Sequence, residues 1–299
     1  MSAAPPEPGT LDAGVNAAVG YAPSAPSTAA GGVADQATIA APVRSFAQRR
    51  LVPLTGIATL LALWHLAASS GAYTPDQLPS PAATMRAAVE AWRTGLLDHI
   101  GASLARFAGA YGAAVVLAVP LGLLLGLRRS LWRAVDPVVQ VLRPISPIAW
   151  FPLAVLWLGI GNLPAIFIIF LAAFFPSLLA TVGAVRRVDP QYLRVALNFG
   201  STESQLVRMV VIPAAFPQIA LGLHIALGSA WVYLVAGEML GARSGLGFLI
   251  VDARNFLRTD LILVGMAVIG LLGLAIDRSV SVLERRIQAR WGVQDVAAP

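Results

Sequence analysis

The sequence predicts an all-α protein embedded in a membrane, on three observations: its composition, the recurrence of apolar runs of bilayer length, and the placement of arginine. Hydrophobic residues make up 57% of the 299 and charged residues 12%, with a mean hydropathy of +0.74, outside the range of water-soluble domains. Apolar runs of about 20 residues with at most two charges each, enough to cross about 30 Å of hydrocarbon, recur six times, near residues 51–69, 104–127, 138–160, 164–185, 215–240 and 260–277. Pro53 and His65 weaken the first run, and Asp260 and Asp277 bound the last, so five spans is the nearest alternative.

Orientation follows from charge, because arginines in short loops are retained on the cytoplasmic side. Arg44, Arg49 and Arg50 precede the first span, and Arg128, Arg129 and Arg133 follow the second. Arg186, Arg187, Arg194 and Arg208 follow the fourth, and Arg278, Arg285, Arg286 and Arg290 follow the sixth. These fourteen lie on one side and Arg86, Arg93, Arg243, Arg254 and Arg258 on the other, with Arg106 and Arg143 near span ends, which puts both termini in the cytoplasm. Topology therefore accounts for the basic pI without a nucleic-acid partner.

Residues 1–42 are mostly Ala, Pro, Gly and Ser, with Glu7, Asp12 and Asp35 as the charges, too little apolar bulk to offset the entropy of ordering, and are expected to form a disordered cytoplasmic tail. No basic start, apolar run and small-residue cleavage site are laid out there as a signal peptide requires. A transmembrane domain is expected over 43–290, with a C-terminal tail at 291–299. Span three is interrupted by Pro144, Pro147 and Pro152, each lacking an amide donor, so its backbone is bent or unwound, or the helix starts late at Ile148. Arg143 beside it either meets an anionic solute or snorkels to the interface.

Between spans four and five, over 186–213, lies an Arg-bearing elbow. Asp189 is a good N-cap and Pro190 suits the first helical position. A short helix is predicted through Asn198, ended by Gly200 in the left-handed conformation. Ser201 is expected to cap a second helix through about Val211, with Pro213 breaking the chain before span five.

On span five, a projection at 100° per residue puts His224, Gly228, Trp231, Val235 and Glu238 on one line and Gly222, Ala226 and Ala230 opposite. The second group is a small-xxx-small face for a neighbouring helix. In the first, His224, Trp231 and Glu238 are candidates to line a solute pathway; alternatively His224 bonds a carbonyl, and Glu238 reaches the outer interface or pairs with Arg243 or Arg254. Gly241, Gly245 and Gly247 form an outer turn before an interfacial segment at 247–258.

The chain contains neither cysteine nor lysine, so it cannot form a disulfide or the GxxxxGK[ST] phosphate loop. No paired carboxylates, metal-spaced histidines or Ser-His-Asp set appears, so no catalytic, cofactor or metal residue is expected. If ATP hydrolysis drives the protein, another polypeptide performs it.

The elbow resembles a known motif. Arg194-Val195-Ala196, three residues, Gly200, nine residues and Val210-Val211-Ile212-Pro213 are similar to the EAA loop of ABC importer permeases, with Arg194 and Val195 in place of that family's Glu and first Ala. The segments at 78–97, 103–112, 142–161 and 213–250 resemble the nitrate/sulfonate/taurine branch, which commonly has Glu-Met, as at Glu238-Met239, and Gly-Leu-Arg where this chain reads Gly222-Leu223-His224. The resemblance implies a type I ABC importer permease fold of about six helices and a permease dimer, most simply a homodimer, in the bacterial inner membrane. It implies ATP and Mg held by cytoplasmic ATP-binding subunits, and a periplasmic solute-binding protein that delivers a small anion, sulfonate- or taurine-like first and nitrate second. Asp189, Arg194, Ala196, Gly200, Ser201 and Pro213 would then belong to the ATPase coupling loop. The alternative, an ion-gradient-driven secondary transporter, predicts carboxylates in several spans, where Glu238 is almost alone.

Overall fold

A computed structural model describes residues 46–290, and the side chains of 55–287; the tails expected at 1–42 and 291–299 fall outside the described residues. No strand occurs among those described. In chain order the helices are α1 (Phe46–Ser69), α2 (Pro81–Thr94), α3 (Leu96–Leu127), α4 (Arg129–Leu142), α5 (Phe151–Leu158, after a 3-10 turn at Pro147–Trp150) and α6 (Asn162–Arg186). They continue with α7 (Pro190–Asn198), α8 (Glu203–Leu206, running into a π turn at Val207–Val211), α9 (Ile212–Gly241), α10 (Leu246–Asn255) and α11 (Thr259–Arg290).

Four stretches are long and apolar enough to cross a bilayer: Leu96–Leu127, Asn162–Arg186, Glu203–Gly241 and Thr259–Ile287. A fifth is obtained if α4 and the Pro147–Leu158 segment, bent by 84°, count as one broken span, and Thr55–Ser69 is a shorter apolar helix. Six is therefore an approximate number. The bend falls where the prolines of span three predicted it, at Arg143–Ser146: neither Pro144 nor Pro147 can donate, and Ile145 N–H closes the last turn of α4 on Leu142 O at 3.2 Å.

α6 is the axis of the bundle, with α3 and α9 against it, and a core of Phe107, Ala110, Ile169, Ala173, Leu227 and Leu234 joins the three. Small residues set the spacing. A Cβ added at Gly222 would fall on the Ala180 methyl, and one at Gly237 would lie 3.2 Å from Ala165 Cα, so the small-residue face of α9 does pack against a neighbouring helix. Large side chains that face outward are apolar, among them Val116, Leu117 and Leu121 on α3 and Leu221, Ile225 and Val232 on α9, as a lipid- or subunit-facing surface requires.

At the end of α9 away from the elbow helices, α2, α10 and α11 share a second core around Ala87, Ala91, Leu246 and Val264. In the α10–α11 turn Arg258 bonds both Glu90 and Asp260 at 3.0 Å. Hydrogen bonds donated to Asp260 first and Glu90 second raise the guanidinium above its ordinary pKa.

Candidate functional site

The elbow forms for local reasons. Asp189 Oδ1 accepts from the Gln191 amide at 2.8 Å and Pro190 occupies the first position of α7. At the other end Gly200 has φ +79°, its amide donates to Leu197 O at 2.9 Å, and the Ser201 amide donates to Ala196 O at 3.2 Å. Those two bonds are the pair that closes a Schellman motif, with Gly200 in the left-handed position.

Two expectations there are corrected. The cap of the second helix is Thr202, not Ser201: Ser201 is committed through its amide to closing α7, so the cap moves one residue on. Thr202 Oγ1 accepts from the Gln205 amide at 3.4 Å while Gln205 Oε1 accepts from the Thr202 amide at 2.9 Å, a reciprocal capping box. Nor does Pro213 break the chain. The π turn moves the ladder on by one residue, so that Ile212 N–H donates to Val207 O; Pro213, without a donor, sits in the first turn of α9, and Glu203–Gly241 runs as one 39-residue helical unit.

Apolar side chains on this basic elbow face outward: Phe199 is 87% exposed and Met209 73%, with Tyr192 and Leu197 also exposed. Arg194 is exposed and Ala196 half-buried. Arg186 stacks over Trp132 at 5.3 Å, which fixes the end of α6 against α4, and Arg128 approaches Glu203 at 3.5 Å across an exposed gap.

His224, Trp231 and Glu238 share a face of α9, as projected, and that face turns into the chain toward separate partners. His224 Nε2 lies 2.7 Å from Asp277 and Nδ1 3.3 Å from Glu284, so its partners are carboxylates of α11 and not a carbonyl. Trp231 is buried edge-on against Phe107, ring centroids 5.2 Å apart. Glu238 is fully buried and pairs with Arg106, not with Arg243 or Arg254.

Around that pair is a polar knot that sequence reasoning missed. Ser103 Oγ and the Gly247 amide donate to the Glu238 carboxylate at 2.8 and 2.9 Å. Arg106 also donates to Ser244 O at 2.8 Å and Asn162 Oδ1 at 2.9 Å, while Ser103 Oγ accepts from Leu246 N–H at 2.8 Å and His99 Nδ1 from Gly245 N–H at 3.1 Å. Gly245, at φ +106°, is forced: a Cβ there would overlap both Glu238 and Arg106. The available signal was His99, Ser103 and Arg106 at i, i+4 and i+7, a polar stripe on the apolar helix α3. Among the described residues no three His, Asp or Glu side chains are grouped to hold a metal.

With this architecture in place, residues 118–289 match the family described as "Binding-protein-dependent transport system inner membrane component". The chain belongs to that family. It is 35% identical over 237 residues to the taurine transport system permease protein TauC of Escherichia coli (strain K12), covering 77% of this chain and 86% of TauC. To the nitrate import permease protein NrtB of Synechocystis sp. (strain ATCC 27184 / PCC 6803 / Kazusa) it is 34% identical over 242 residues, 78% of this chain and 87% of NrtB. Among solved structures, an inward-facing form of the MetNI methionine ABC transporter superposes with a TM-score of 0.51 at 23% identity, over 64% of this chain and 98% of that one. The fold is accordingly that of an ABC transporter permease, and this permease is a multi-pass membrane protein.

Proposed function

We propose that this permease is one half of the membrane pore of an ATP-driven importer, paired with a second copy, with both termini on the cytoplasmic side of a bacterial inner membrane. The observation that carries the reading is the elbow: a loop stiffened by an N-cap, a Schellman turn and a capping box, yet presenting Phe199, Tyr192, Leu197 and Met209 to the outside. Rigid exposed apolar side chains amid arginines are what a docking surface for another protein offers. The partner is a cytoplasmic ATPase holding ATP and Mg, since this lysine-free chain has no phosphate loop of its own. Asp189, Ala196 and Gly200 shape the elbow, Arg194 lies on its surface, and Ser201 and Pro213 are its junctions.

On this reading, ATP-driven closure of two ATPase subunits moves the two elbows, and rigid-body rotation of the permease halves opens the pathway outward toward a periplasmic binding protein. Trp231 and Glu238 fasten the helix that flanks the pathway, and His224 ties the same helix to α11 through Asp277 and Glu284. The relatives named for taurine and nitrate support a small anionic solute, sulfonate-like first and nitrate second.

The test is a pull-down of the tagged chain from mild detergent, comparing wild type with Gly200→Val and assaying the eluate for ATP hydrolysis. Capture of an ATPase and a solute-binding protein by wild type, with the ATPase weakened by the substitution, supports the reading. Uptake driven by an ion gradient without an ATPase would put the secondary transporter first.

A further inference from the structure

The break between α4 and α5 does more than bend the chain. It forms one wall of a cavity of about 490 Å³ whose other walls are α6 and α9, a volume suited to a small organic ligand. Arg143, Trp150, Phe175, Ser229 and Tyr233 line it together with apolar residues such as Leu171. Ser229 and Tyr233 stand 12 and 8 residues before the outer end of α9 at Gly241, so the cavity lies about 12–18 Å below that end, within the hydrocarbon-length part of the span. Tyr233 Oη reaches Ser146 Oγ at 3.2 Å, joining α9 to the unwound residues of the break.

Arg143, an exposed side chain, is the charged residue in the lining of this cavity. Among the described residues its guanidinium makes no ion pair and no side-chain hydrogen bond, although the Glu90, Asp260 and Glu238 carboxylates all pair with other arginines. Asp136, which lines an adjoining cavity with Arg143, bonds Gln140 at 2.7 Å instead. An arginine at a membrane-spanning helix break, unneutralised and facing a cavity, is the arrangement by which a bilayer protein holds a charged solute. The aromatic and aliphatic walls leave room for more than a bare ion.

We infer that this cavity is a transit site for a singly charged organic oxoanion, its oxygens on the Arg143 guanidinium and the Tyr233 hydroxyl, its short tail against Trp150, Phe175 and Leu171, with Ser229, whose own hydroxyl donates to Ile225 O at 3.2 Å, in the wall beside it. The inference rests on the importer reading above and assigns residues to its pathway: the break in span three, not the inward face of α9, supplies the charge.

The absence of cysteine allows a test that needs no knowledge of the natural solute. Ser229→Cys is introduced into the full chain in lipid nanodiscs, and labelling of its thiol by anionic sulfonatoethyl methanethiosulfonate is compared with that by cationic trimethylammonioethyl methanethiosulfonate. A separate Ser70→Cys variant, at an exposed position, corrects for intrinsic reactivity. The anion should be favoured by about tenfold at position 229, because a cleft of one charge sign concentrates counter-ions. Arg143→Gln should bring the ratio close to that at position 70, while Arg143→Lys should retain most of it. Ethanesulfonate should slow the labelling and its uncharged analogue ethyl methyl sulfone should not.

A ratio unaffected by Arg143→Gln, equal protection by sulfone and sulfonate, or no labelling of the Ser229→Cys variant by either reagent would overturn the site. Recovery of Arg143→Gln as a monodisperse species with the wild-type melting temperature shows that this variant is folded. A chain that captures an ATPase but shows no anion preference loses the site and keeps the function; a chain with the preference and no ATPase does the reverse.

Discussion

Replacing Arg106 by methionine tests whether the polar knot holds together the ends of the bundle remote from the elbow. The Arg106 and Glu238 side chains are 6% and 0% exposed, so the substitution strands a carboxylate that then has only Ser103 Oγ and the Gly247 amide as donors. Stranding one member of a buried pair costs about 3–5 kcal/mol. For a chain of this size that corresponds to a melting temperature lower by about 10 °C, taking about two to four degrees per kcal/mol. Glu238→Gln removes the charge and keeps an oxygen for the Gly247 amide, so the double variant Arg106→Met/Glu238→Gln should melt several degrees above Arg106→Met alone. The assay is thermal unfolding in detergent followed by size exclusion or tryptophan fluorescence. An Arg106→Met protein melting within about two degrees of wild type, or a double variant no better than the single, would refute the reasoning that this pair is buried and coupled.

Other consequences separate positions that look alike in the sequence. Thr202→Ala removes the side-chain half of the capping box and should destabilise the second elbow helix by about 1 kcal/mol, read as faster amide hydrogen exchange over 203–211, whereas Ser201→Ala should leave exchange unchanged because only its amide is used. Gly200→Val forces a β-branched residue to φ +79° and should disorder the α7–α8 turn, with ATPase capture lost and membrane insertion retained. Gly222→Ala should lower the yield of folded protein by pressing on Ala180, and Ala180→Gly in the same chain should restore it in part.

What the sequence disclosed was local. The Asp189 cap, the Gly200 turn and the fracture of span three depend on residues within a few positions of one another, where cap and proline rules apply. The same rules misplaced two boundaries. Ser201 and Thr202 are equally good caps in isolation, and only the closing geometry of α7 decides between them. Pro213 breaks a helix unless the ladder has already shifted by one residue, and nothing in its neighbours announces the π turn. The partner of Glu238 was out of reach for a different reason: Arg106 is 132 positions away and His99 is 146 positions from Gly245. A helical projection finds a polar face and says nothing about what stands opposite it. Arg143 was visible, but whether it faced lipid headgroups or a cavity depended on the packing of α6 and α9.

The continuity of α8, the π turn and α9 bears directly on how an elbow could act at a distance. Thirty-nine residues of uninterrupted helix are a rod of roughly 60 Å, one end carrying the exposed elbow and the other pinned by Glu238 to α3 and to the start of α10. A proline break at Pro213 would have made a hinge there, and a push on the elbow would have been absorbed by bending. With the ladder carried through, displacement of the elbow tilts the whole of α9 about its packing on α6, where Gly222 and Gly237 bring the two helices into close contact. Ser229 and Tyr233 lie between those two contacts, so such a tilt acts directly on the wall of the Arg143 cavity and on the Ser146–Tyr233 hydrogen bond that ties it to the broken span. Loss of that bond in Tyr233→Phe, combined with Ser229→Cys, should therefore raise the labelling rate at position 229 by both reagents, because it loosens the wall, and should lower the anion preference without abolishing it, because one neutral donor is lost while Arg143 stays; unchanged rates for both reagents would show that the hydrogen bond does not hold the wall.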